Sequence, residues 1–149
     1  MGDLIKQARY SPQELRDRIV RFEKTILQGE QVELPVEQWF CNGTYVRQIT
    51  IPAGVMLTGK IHKHPCLSIV LTGRMEVITD EGPRIISAPE IYESPAGVKR
   101  AGYCHEECQW LTIHPWDGEP QSEAEMADHL TVDTFEQLAQ FQQEQILCQ

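Results

Sequence analysis

Residues 68–94 read SIVLTGRMEVITDEGPRIISAPEIYES. Four short runs, 68–71, 75–79, 84–87 and 91–93, are rich in Val, Ile, Thr and Tyr, side chains that pack well on a pleated surface. Between them stand Thr72-Gly73, Asp80-Glu81-Gly82 and Ala88-Pro89, residue types that turn the chain. The pattern continues outward. A run at 44–51 stops at Pro52-Ala53-Gly54, and another at 109–114 follows Pro95-Ala96-Gly97 and a mixed segment. Short strands with turn signals every 8–12 residues, and no useful helical period among them, predict a β-sandwich or barrel.

The flanks read differently. Ser11 suits an N-cap, Pro12 the first helical position, and Glu14 completes a capping box. Leu15, Ile19, Phe22 and Ile26 then recur at helical spacing, up to a stop near Gln28-Gly29. This apolar face has two candidate partners, the barrel of its own chain or a second subunit. After Pro115 comes an acidic stretch, WDGEPQSEAEMAD, read as a loop. A second helix is expected over 133–147, with Thr134 and Gln137 as its capping box and Phe135, Leu138, Phe141 and Ile146 as a thin apolar stripe. The expected organisation is a helical extension at 1–32, a β-barrel at 33–116, and an acidic loop with a helix at 117–149.

The chain has 149 residues, enough for one domain with a sizeable core. With 41% hydrophobic residues it can collapse. A formal net charge of −9 disfavours phosphate backbones and anionic lipid, so neither nucleic acid nor a membrane is expected as a partner. The opening residues MGDLIKQARYSPQEL carry no apolar run of the signal-peptide kind. Five cysteines, Cys41, Cys66, Cys104, Cys108 and Cys148, then point to reduced thiols in a cytoplasm.

Residues 51–103 resemble the cupins. That family carries two motifs on facing barrel strands: two histidines one residue apart followed by a glutamate and a glycine turn, and a Pro-x-Gly-x-x-His turn. The four side chains project inward and bind a divalent metal. In this chain the turns Leu71-Thr72-Gly73 and Pro95-Ala96-Gly97 fit, and the ligands depart. Counting back from Gly73 places the family's glutamate at Cys66 and its histidines at Lys60 and His62; the second motif's histidine falls at Arg100. A second register takes His62-Lys63-His64 as the paired histidines and puts Ser68 in the carboxylate's place. The turn-anchored register is preferred, because the turn fixes the strand that leads into it. The runs 59–73 and 95–115 also resemble small cupin-like proteins of tailed phages, through Lys99, Arg100, His105, Glu106, Trp110 and His114. That likeness implies a fold and a phage setting, with the host cytoplasm as location, and no particular reaction.

The residues allow three functional classes. The first is a barrel binding a small, anionic ligand through Lys60, His62, His64, Cys66 and Arg100. Lys60 and Arg100 at the barrel mouth would need an anionic partner, an internal carboxylate such as Glu76 or Glu93, or a ligand's carboxylate or phosphate. The second is a metal-dependent cupin enzyme, a dioxygenase, isomerase or lyase, with zinc, iron, nickel or manganese held by His62, His64, Cys66 and His105. The third is a structural or host-interaction protein with a vestigial pocket. No nucleophile elbow, phosphate loop or paired-carboxylate motif is present, so a catalytic role has no constellation to carry it. Cys104 and Cys108 read better as buried thiols beside a Glu106-Glu107 turn than as a zinc clamp. A homo-oligomer, a dimer first of all, is expected because small jelly rolls must cover open edges.

Overall fold

The computed structural model describes residues 10–148. The leading residues, read above as lacking a signal run, otherwise lie outside the described residues. Helix α1 spans Pro12–Ile26, and its capping box joins Ser11 and Glu14 as the sequence prescribes. Eleven short strands follow in the described residues, interrupted by helix α2, with helix α3 at the end. They are β1 (Val36–Cys41), β2 (Thr44–Ile51), β3 (Met56–Thr58), β4 (Ile61–His62), β5 (Cys66–Thr72), β6 (Arg74–Thr79) and β7 (Gly82–Ser87). Then come β8 (Glu90–Ser94), β9 (Ala101–Cys104), β10 (Cys108–Pro115), α2 (Glu123–Leu130), β11 (Thr131–Val132) and α3 (Phe135–Leu147).

The strands form two facing antiparallel sheets in jelly-roll order, β1-β2-β10-β5-β8 and β3-β9-β6-β7, with the short pair β11-β4 closing one side. The core between the sheets is Ile51, Val70, Met75, Val77, Ile86, Cys104 and Cys108. Strand parity builds it. On β5, Cys66, Ser68 and Val70 are buried, while Leu67 and Leu71 face outward. Gly73 makes the β5–β6 turn at φ +87°, a conformation in which a Cβ is strained.

Helix α1 packs on its own chain's four-stranded sheet, the first of its two candidate partners. Ile19 is buried, Arg16 pairs with Asp80 at 2.8 Å, and Glu23 accepts from the Thr58 hydroxyl at 2.8 Å. Glu23 also meets the buried Lys99 ammonium at 2.9 Å, and Lys99 donates to the Gly59 carbonyl. A lysine this deeply buried is tolerated only when so paired.

The acidic stretch after Pro115 is not all loop. Ser122 caps α2 by accepting from the Glu125 backbone N–H, and Met126 is buried against the barrel. Helix α3 carries the expected Thr134–Gln137 capping box and buries Leu138. Among the described residues no helix is long and apolar enough to cross a membrane.

Candidate functional site

A cavity of about 370 Å³ opens between the sheets, with α2 and β11 over its mouth. Its body is apolar, with Ile49, Leu57, Val77 and Trp110 among the walls and Met126 and Leu130 of α2 at the rim. Polar groups converge at one end: His62, His114, Arg100, Ser68 and Ser94. An apolar chamber with a few convergent polar groups is the common design of a small-molecule site.

His62 is held from two sides. Its strand β4 pairs with β11, Thr131 opposite His62, and its carbonyl accepts from the Gly97 N–H at 2.9 Å. Cys66 begins β5 and faces Ser94 across the sheet. On the other side of β5, Leu67 pairs with Ile113 of β10. That register sets His114 beside Cys66 on the inner face. The Cys66 Sγ lies 3.4 Å from His62 Nδ1, and the His62 ring stacks on His114 with centroids 5.4 Å apart. One ligand atom from each of His62, Cys66 and His114 falls within 4.8 Å of the other two.

Burial governs how these groups titrate. Burial first, and then His114, Arg100 and Arg47, push His62 down to about 4. Burial, helped by Arg47, pushes His114 to about 4 as well. Burial raises the Cys66 thiol, with Arg100 acting in the opposite direction. At neutral pH the pair of imidazoles is therefore uncharged, and the positive charges at this end of the cavity are Arg100 and Arg47, the latter paired with Glu123.

Arg100 donates to the Ser94 hydroxyl. Among the described residues it has no carboxylate within ion-pair distance, whereas Arg47 meets Glu123 at 3.3 Å and Lys60 meets Asp133 at 3.2 Å. Lys60 lines the mouth with its side chain half exposed. Glu76 and Glu93, considered above as internal partners for these cations, are both exposed; Glu76 instead sits 3.6 Å from His105.

His64 and His105 stand apart from the converging group. Strand β4 is only two residues long, and Pro65 interrupts pairing before β5, so inward parity does not run on from His62 to His64. His64 is exposed, edge-on to Phe141 of α3 at 5.6 Å. His105 sits on the exposed β9–β10 turn, edge-on to Tyr103. The thiols flanking that turn, Cys104 and Cys108, are fully buried, and burial pushes Cys104 to about 12. His114, named above only in the phage-type likeness, is the group's member that no candidate ligand set included. The signal for it was parity, since it lies two residues beyond Thr112 on the inner face of β10.

The family pattern assigns a divalent metal to positions 60, 62, 66 and 100. Lysine and arginine offer a metal no lone pair at neutral pH, so that four-ligand set does not fit a metal in this chain. His62 and Cys66 remain, and His114 joins them from the neighbouring strand.

Two jelly-roll sheets closing on an inner pocket define the class: a mainly β protein with a single jelly-roll barrel and flanking helices. Its fold is similar to that of a cupin superfamily protein from Desulfitobacterium hafniense, with 12% identity, a TM-score of 0.48, and 78% of this chain and 99% of that one covered. It is also similar to a cupin-2 domain protein from Shewanella frigidimarina, with 17% identity, a TM-score of 0.45, and coverages of 68% and 99%. A third likeness is to an RmlC-like cupin with a double-stranded β-helix fold from Methanocaldococcus jannaschii, with 16% identity, a TM-score of 0.47, and coverages of 58% and 83%. No family model matches the sequence, and no curated protein sequence matches it.

Proposed function

We propose that this chain is a small-ligand-binding barrel whose pocket takes an anionic molecule, a carboxylate or phosphate carried on an apolar body. The observation that carries this reading is Arg100. Its guanidinium lines a largely apolar cavity and has no carboxylate partner among the described residues. A cation in such a setting favours an anion, and guanidinium offers a planar fork of donors for one. The cavity's size suits a small ligand. The five free cysteines support a reducing compartment, and the phage likeness suggests a host cytoplasm.

The test is thermal denaturation against a panel of aliphatic and aromatic carboxylates and phosphate monoesters. A ligand present at 100 times its Kd should raise Tm by about 5–10 °C in a domain of this size. Arg100→Met should remove the shift while leaving the Tm of the free protein within a few degrees. A panel that produces no shift at millimolar concentration, or a shift that survives Arg100→Met, would count against the reading.

We propose also that two copies pair through the outer face of the five-stranded sheet. Strand register aligns Trp39, Val46, Ile113 and Leu67 in one row across four strands, with Leu111, Ile69 and Ile91 in the next. Trp39 is 47% exposed and Ile91 65% exposed. A contiguous apolar face of this kind is more than scattered surface residues supply. A second copy is the partner proposed for it, because a two-fold axis lets one surface patch meet the same patch on another copy. Light scattering at tens of micromolar should give twice the chain mass, and Leu67→Glu should halve it. A monomeric wild-type chain would end this proposal.

A further inference from the structure

We infer that His62, Cys66 and His114 form a three-ligand site for one thiophilic transition-metal ion of the zinc class. This ligand set differs from the one the family pattern prescribes: the place of position 100 is taken by a histidine on another strand. The inference stands independently of the anion reading, since Arg100 is not among the ligands.

The geometry supports it in three ways. The donors come from three elements, β4, β5 and β10, each fixed by its own backbone pairing, so their convergence does not follow from a single turn. The sulfur lies 3.4 Å from one imidazole nitrogen, and all three ligand atoms fall within 4.8 Å of one another. Tetrahedral zinc, with Zn–N near 2.0–2.1 Å and Zn–S near 2.3 Å, holds neighbouring ligand atoms roughly 3.5 Å apart. The widest pair must therefore close by about 1 Å, within reach of small side-chain rotations.

The donor chemistry narrows the metal. One thiolate with two imidazoles suits zinc and its softer neighbours and suits magnesium, calcium or manganese poorly. Binding releases the Cys66 proton to solvent, and the sulfur donates the freed electron pair to the metal. His62 and His114 both line the cavity, so a metal held by them would stand at its edge. A zinc site with three protein ligands keeps a fourth position for a ligand.

The full-length chain, dialysed against EDTA and titrated with cobalt(II), provides the test. One equivalent should bring up a thiolate-to-cobalt charge-transfer band and tetrahedral d–d bands, and zinc should displace both. Cys66→Ser should abolish the charge-transfer band. His114→Gln should weaken binding by at least about 100-fold. Arg100→Met removes no ligand, so the charge-transfer band should persist, and a failed anion experiment beside a persisting band faults the anion reading alone. Cadmium NMR of the unaltered chain gives a readout that does not depend on a variant folding: one sulfur and two nitrogen ligands are expected. A wild-type chain without the charge-transfer band, a band that survives Cys66→Ser, or a cadmium shift from oxygen ligands alone would overturn the inference.

Discussion

Gly73→Ala is expected to destabilise the chain by more than about 3 kcal/mol, enough to leave much of it unfolded at 37 °C. Two effects act together. Gly73 holds φ +87° in the β5–β6 turn, where an L side chain is strained by about 1–2 kcal/mol. A Cβ there would also run into the Glu107 carbonyl oxygen and come within 2.7 Å of the Cys108 sulfur. The Glu107 backbone belongs to the β9–β10 connection, which is itself tied down by the His105 N–H donating to the Arg74 carbonyl at 2.9 Å. It has little room to yield. Gly43→Ala separates the two effects, because Gly43 has φ +80° and open space around its Cβ position. That variant should lose only about 1–2 kcal/mol. Urea denaturation of both checks the prediction, and equal losses would contradict it.

Mild acid is expected to have a comparably large effect. In metal-free folded protein His62 and His114 accept protons only near pH 4, and in the unfolded chain they do so near 6.5. Between those values the unfolded chain binds more protons than the folded one, so stability rises with pH through this window. The contribution is fully present above about pH 6.5 and is lost as pH falls toward 4. Between pH 7 and pH 5 the pair should cost about 2–4 kcal/mol. Urea midpoints at pH 7 and pH 5, after EDTA treatment, measure it. The double variant His62→Gln, His114→Gln should flatten the dependence. A wild-type midpoint that does not move would show that these imidazoles are solvated in the folded state.

The elements that were legible in the sequence are those with a local physical signature. Both capping boxes, Ser11 with Glu14 and Thr134 with Gln137, form as written. The β-branched run at 44–51 is strand β2 without a change of boundary. The misses lack such a signature. Strand β9 reads AGYC, and two small residues with weak strand preference concealed it. Strand β1 reads VEQWFC, with polar residues that its partner β2 and the sheet's edge position accommodate. Helix α2 had a capping serine, but its eight residues include only Met126 and Leu130 as large apolar positions, too few to establish a period.

The site was half legible for a related reason. The Gly73 turn fixed the parity of β5, and that parity carries Cys66 and Ser68 inward. It could not reach His64, because Pro65 interrupts the pairing between β4 and β5. Nor could it find His114, whose place beside Cys66 depends on β10 pairing with β5 across a long stretch of sequence. Long-range register of this kind is not set by any local turn, so the matched spacing at 95–115 did not say where His114 points. Lys60 and Arg100 were read together as mouth cations, yet only the structure separates them, one paired with Asp133 and the other facing the cavity with a hydroxyl for company.

Titration calorimetry with the anion that gives the largest thermal shift addresses the central claim most directly. Wild-type protein should bind one molecule per chain, and Arg100→Met, folded by circular dichroism, should bind it about 30–1,000-fold more weakly. Equal affinity in the two proteins would mean that the anion lodges elsewhere, and would contradict the account of the pocket.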